Sequence, residues 1–166
     1  MFRTIQDFLE SWTYETEATL KVFQALTDEA LEQRVTPDGR SLGRIAWHIV
    51  QTLPEMGGRT GLTIHGPSEH EPTPATAEAI SSGFGAAAKS LGQQVTDQWT
   101  DEDLKVEDDM YGEKWPRGKT LGALVNHQTH HRGQMTVLMR QAGVPVPGVY
   151  GPSREEWEAF GMPPQD

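Results

Sequence analysis

The stretch Thr120-Leu121-Gly122-Ala123-Leu124-Val125-Asn126-His127-Gln128-Thr129-His130-His131-Arg132-Gly133-Gln134 opens the reading of the fold. Leu121, Leu124, Val125, His127, His131, Met135, Leu138 and Met139 recur at three- and four-residue steps, the period of an amphipathic helix. Thr120 stands where a cap is expected, and Gly143 where the helix should stop. His127 and His131 are four apart, so their side chains share one face a turn from each other. They align with Leu124, Met135 and Leu138, which sets them in the seam expected to be buried. His130, about 100° around the helix from His131, aligns instead with the polar Asn126 and Gln134.

Three further segments carry the same period. Ile5, Phe8, Leu9, Trp12, Thr16, Leu20, Phe23 and Leu26 form the first stripe, with Thr27-Asp28-Glu29 ending it or opening a short extra turn. After the turn signal Thr36-Pro37-Asp38-Gly39, Ser41 is expected to cap a second helix with the stripe Leu42, Ile45, Ile49, Leu53 and Met56. Pro54 threatens to kink it, and Gly57-Gly58 marks its expected end. The third helix is expected from Pro74, with Ile80, Phe84, Ala87, Ala88, Leu91 and Val95 on its apolar face. Gly83, Gly85 and Gly92 suggest a close neighbour. Residues 100–118 read as a long polar connection with an extended piece at Lys105 to Met110, and residues 153–160 as a short helix in a Pro-rich tail. Four stripes in a small chain must cover one another, so the expected fold is all-α, a four-helix bundle.

The composition limits the chemistry. The chain has 166 residues, 14 Lys plus Arg against 24 Asp plus Glu, six His and no Cys, for a formal charge of −10. That length suits a single domain over 1–166, with a core at 1–143 and an extension at 144–166. Without cysteine there is no disulfide, no thiol nucleophile, no iron–sulfur cluster and no thiolate zinc site. The acidic balance opposes a nucleic-acid partner. No apolar run reaches the ~18 residues of a membrane span, and Asp7, Glu10, Glu15 and Glu17 interrupt any leader-like segment. A cytoplasmic protein with no membrane partner is expected.

Helical spacing lets His127 and His131 hold one metal ion together. It equally allows two core histidines satisfied by hydrogen bonds. His48, mid-helix beside Ile45 and Ile49, is the natural third ligand, because facing helices of a bundle supply one internal site. Three nitrogen ligands leave a position open for water or substrate. His65 and His70 fall in a Gly/Pro loop and are expected to be solvated. Gln128 stands where a helical zinc protease carries Glu, and Gln cannot take a proton, so that chemistry is disfavoured. The acidic runs 101–103 and 107–109 lack calcium-loop spacing, and the five tryptophans are expected to be packing anchors. No glycine-rich nucleotide loop is present.

The stretch 120–134, together with Ser41-Leu42-Gly43-Arg44-Ile45-Ala46-Trp47-His48-Ile49, resembles the motifs of the DinB/YfiT-like family, and the helix order agrees over 1–143. The resemblance implies up-down-down-up connectivity, often a homodimer, and a divalent metal on His48, His127 and His131. Zn or Ni are the first expectations, with Fe also suited to three imidazoles. Family members include transferases that use the low-molecular-weight thiols bacillithiol or mycothiol. The resemblance therefore implies a metal-dependent S-transferase acting on electrophilic small molecules. With no Cys in the chain, the sulfur must come from a cosubstrate. A metal-activated hydrolase, with His130 as proton shuttle, and a non-enzymatic metal-binding stress-response bundle are the alternatives.

Overall fold

Three of the four long helices begin at a hydroxyl residue that replaces a missing turn. Thr4 Oγ1 accepts the Asp7 N–H before α1 (Ile5–Gln24), Ser41 Oγ accepts the Arg44 N–H before α2 (Leu42–Arg59), and Thr76 Oγ1 accepts the Ala79 N–H before α3 (Ala77–Gln98). The fourth, α4 (Arg117–Gln141), follows Pro116 directly. A two-stranded antiparallel hairpin, β1 (Glu107–Met110) and β2 (Glu113–Pro116), precedes it. This computed structural model describes residues 2–164.

The apolar stripes meet in one core. Phe8 and Phe23 of α1, Leu42, Ile49 and Leu53 of α2, Ile80, Phe84 and Leu91 of α3, and Leu121, Leu124 and Met135 of α4 are all essentially sealed from solvent. Each such side chain contributes about 1.5–3 kcal/mol of burial. Contacts fix the helix directions. Trp12 donates its indole N–H to Ala88 O while Phe23 packs on Phe84, so α1 and α3 run antiparallel. Trp47 abuts Gly83 and Gly57 lies beside Leu91, so α2 and α3 run parallel. Ile45 shares one pocket with Leu138 and Met56 shares another with Ala123, so α2 and α4 are antiparallel. The result is the up-down-down-up bundle.

A Cβ at Gly83 would sit 3.1 Å from the Trp47 ring, the close approach its composition suggested, whereas Gly85 and Gly92 sit at ordinary distances of 3.8 and 3.5 Å from their neighbours. Gly57 is tighter still, since a Cβ there would meet Ile64 Cγ1 at 2.6 Å.

Several boundaries differ from expectation. Pro54 is accommodated inside α2, which continues through Gly57-Gly58 to Arg59. α3 starts at Ala77 rather than Pro74, because Thr76 supplies the cap. Thr120 does not cap α4 but lies buried inside it, one turn beyond the start. The expected extended piece is β1, and its partner β2 lies where the sequence reads as polar connection. The pairing Met110↔Glu113 leaves Tyr111-Gly112 as a two-residue turn with φ of +58° and +86°. The tail helix is a 3₁₀ segment, Arg154–Phe160. The tail lies along α1 and α4. Tyr14 O–H donates to Val149 O at 2.7 Å, Lys21 to Gly148 O at 2.9 Å, and Arg140 pairs with Glu155 at 2.6 Å. Among the described residues, no helix is long and apolar enough to cross a membrane.

Candidate metal centre

His48 projects from the middle of α2 across the antiparallel seam toward His127 and His131 on α4. His127 Nε2 lies 3.2 Å from His48 Nε2 and 3.1 Å from His131 Nε2, and one ligand atom from each ring falls within 4.8 Å of the others. The ring centroids stand 4.4–4.9 Å apart and the planes are steeply inclined, so the rings point their nitrogens inward rather than stack. Burial pushes His48 down to about 4, with the neighbouring His127 and His131 adding to the shift. Burial likewise pushes His127 down to about 4, helped by His131 and His130, and lowers His131. All three are therefore neutral at physiological pH, the form in which imidazole ligates a metal.

The donor set fits a metal ion. A tetrahedral ion with metal–nitrogen bonds of about 2.0–2.1 Å holds its ligands about 3.3 Å apart, close to the two Nε2 separations. Among the described residues no carboxylate joins the cluster. His131 Nδ1 lies 2.7 Å from Gln134 Oε1. An amide oxygen only accepts, so Nδ1 carries the proton and Nε2 keeps its lone pair for the centre.

His48 and His127 open onto a cavity of about 510 Å³, while His131 lines a neighbouring one with Arg40, Ile45 and Gln134. Arg40, Arg44, Thr52 and Glu55 line the first cavity from α2 and the loop before it, and Tyr111 and Trp115 from the hairpin. Tyr111 O–H donates to Glu55 Oε2 at 2.7 Å, Arg59 Nε donates to Glu55 Oε1 at 2.6 Å, and the Arg59 guanidinium lies 4.5 Å over the Tyr111 ring. The hairpin tip is thereby tied to α2 at the rim. No described residue of the tail lines this cavity.

A profile of the DinB family matches residues 1–166. The chain belongs to the DinB family. It is 46% identical over 162 residues to the uncharacterized protein YrdA of Bacillus subtilis (strain 168), an alignment covering 98% of this chain and 97% of that one. The crystal structure of a DinB-like protein from Bacillus cereus ATCC 10987 superposes with a TM-score of 0.87 at 47% identity, covering 90% of this chain and 100% of that chain. A second DinB-like protein, YjoA of Bacillus subtilis, shares the fold with a TM-score of 0.67 at 16% identity, over 86% of this chain and 96% of that one.

Within this DinB bundle the structure brings together His48, His127 and His131. His130 is exposed, its centroid 4.9 Å from that of His131, and takes no part in the cluster. His65 and His70 are exposed loop residues, as expected. One expectation needs correction. His131 is buried as expected, but His127 is only half-buried at the cavity wall, and Gln128 and Arg132, at 1% and 2% exposure, lie deeper in α4 than either histidine. Trp12, Trp47 and Trp99 are packing anchors, but Trp115 lines the cavity. Arg44 was legible in principle, since it stands four residues before His48 on the same face. In the sequence Gln134 reads as part of a polar strip, although its three-residue spacing from His131 suits the orienting role.

Proposed function

We propose that this protein is a divalent-metal-dependent transferase that joins a low-molecular-weight thiol to an electrophilic small molecule. The observation that carries the reading is the convergence of three neutral imidazoles, two of them lining an open cavity, in a chain without cysteine. His48, His127 and His131 would hold Zn or Ni, with Fe also suited to the donor set. A bound divalent cation supplies an acidifying site that favours the thiolate of a cosubstrate near neutral pH. The thiol proton leaves to solvent, sulfur bonds to an electrophilic carbon, and the leaving group departs with its bonding pair. Gln134 keeps His131 in the ligating tautomer, and Trp115 and Tyr111 form the hairpin side of the cavity. Glu55, the carboxylate on the His48 side of α2, is already committed to Tyr111 and Arg59. It is a poor base for activating water, which favours a thiol over a hydrolytic nucleophile. As part of the same proposal the chain works in the cytoplasm, where small thiols stay reduced, and as a homodimer, which light scattering would register.

The test is metal analysis of untagged protein, followed by turnover of an electrophile with and without added thiol. Bound metal, thiol-dependent turnover and loss of both in His127→Ala are expected. Turnover without thiol would transfer the reading to a metal-activated hydrolase. A protein that carries no metal and whose Tm ignores added Zn or Ni would be a non-enzymatic bundle.

A further inference from the structure

Three arginines line the histidine cavity of a chain whose formal charge is −10. One of them, Arg59, is consumed by Glu55 at 2.6 Å and by the Tyr111 ring. The other two are not neutralised. No carboxylate among the described residues forms an ion pair with Arg40 or Arg44. Both stand at the end of the cavity where α2 begins. Both line the same cavity as His48 and His127, and Arg40 also lines a neighbouring cavity with His131.

Arg44 is held in place by a buried neutral group. Gln51, at 3% exposure, spends its amide N–H groups on Ser68 O at 2.8 Å and Glu71 O at 2.9 Å. Its remaining oxygen accepts one N–H of Arg44 at 2.8 Å. The guanidinium is thus fixed with its charge intact and its other donors free. A surface arginine has no need of such a mount. Beside it, Arg40 is exposed and unpaired, so the two forks offer an anion several N–H donors; of the two carboxylates that also line the cavity, Glu55 is held by Tyr111 and Arg59, and Glu69 is exposed on the loop after α2.

We propose that Arg40 and Arg44 form a carboxylate-binding subsite beside the histidine centre, so that the thiol this protein accepts is an anionic thiol acid. A guanidinium fork matches a carboxylate with two parallel hydrogen bonds, each charge-assisted. The inference rests on the thiol-transferase reading and narrows its cosubstrate.

The test is calorimetric binding of mercaptopropionate and its neutral analogue mercaptopropionamide to the Zn-loaded, untagged full chain, with succinate as the thiol-free acid. The acid thiol should bind about tenfold more tightly than the amide, the scale of one charge-assisted contact in a partly solvated site. Arg40→Gln or Arg44→Gln should remove that preference and leave the amide's affinity unchanged, and Arg40→Lys, which keeps the charge without the fork, should keep only part of it. Equal affinities for acid and amide in the native protein would overturn the subsite, as would a preference that survives Arg40→Gln combined with Arg44→Gln. The parent reading fails separately. If succinate binds in an arginine-dependent way and neither thiol gains from its sulfur, the carboxylate subsite stands and the thiol assignment falls. If both thiols bind equally and only with Zn, the thiol assignment stands and the subsite falls.

Discussion

On its α1 side, helix α4 buries Arg132 against Glu15. Arg132 donates one N–H to Glu15 Oε2 at 2.7 Å, another to Thr19 Oγ1 at 2.8 Å, and a third contact reaches the Tyr150 hydroxyl at 2.6 Å. Tyr150 in turn donates to the Glu15 carboxylate. On its α2 side, one turn earlier and nearly level with that network, the same helix presents His127 and His131 to His48. The first cluster answers each of its own charges: cation, anion and hydroxyl are mutually satisfied, and the pair is almost sealed from water. The second gathers three lone-pair donors, places no anion among them and opens on a cavity. A buried network that closes on itself has nothing left to offer a ligand. A convergent set of like groups, each made less basic by the others, is stable only with something between them or with water at its mouth. The difference separates a structural polar core from a functional one within a single helix.

Breaking the closed cluster should have the larger effect. Arg132→Met removes the cation at similar volume and leaves Glu15 buried and unpaired, a loss of about 3–5 kcal/mol. At about 2–4 °C per kcal/mol for a chain of this size, Tm should fall by roughly 10 °C. Adding Glu15→Gln to Arg132→Met should restore much of it. The mirrored change, His127→Ala in metal-free protein, should leave Tm almost unchanged, because it removes a desolvated group that stabilises nothing without a ligand. Equal losses in the two variants, read by thermal melts, would erase the distinction.

The histidine half of this contrast was legible in the sequence because its geometry is local. Four-residue spacing puts His127 and His131 on one face, and the order of helices puts His48 opposite. The closed half was not legible. Glu15 lies 117 residues from Arg132, and Tyr150 lies 135 from Glu15, so only the folded chain joins them. An Arg and a Gln at seam positions read as polar breaks in a stripe, which is why the apolar line of α4 was drawn through the histidines instead. The hairpin was half legible for a different reason. Its second strand, Glu113–Pro116, has no apolar alternation, and its turn places Tyr111 at positive φ, where Asn or Gly is the usual signal.

The open cluster should show itself in pH dependence. His48 and His127 sit at about 4 in the fold against 6.5 for the free side chain. Between those values the unfolded chain binds more protons than the folded one, by as much as one for each histidine, so metal-free stability falls as pH falls. It is complete above 6.5 and its loss is complete below about 4. Urea midpoints across that window should follow this slope, and His127→Ala should make it shallower. A metal held by the same nitrogens should be released over the same window or at somewhat lower pH, since protonated imidazole cannot ligate. Arg132→Met combined with Glu15→Gln should leave the slope there unchanged, because neither replacement titrates. A slope untouched by His127→Ala would mean that other groups carry the titration.

The smallest effect should come from Tyr150→Phe, which trims the closed cluster at its exposed edge. The ring still stacks on Tyr14 at 6.0 Å, and the Arg132–Glu15 pair remains intact. Only the hydroxyl is lost, with its donation to Glu15 and its acceptance from Arg132. Tyr150 is 63% exposed, so water can take over both contacts. The expected cost is about 1 kcal/mol, or about 2–4 °C in Tm, with no change in metal affinity. A loss approaching that of Arg132→Met would place the docking of the tail, and not the ion pair, at the centre of the closed cluster. A change in metal affinity would show that the two flanks of α4 are coupled through the helix after all.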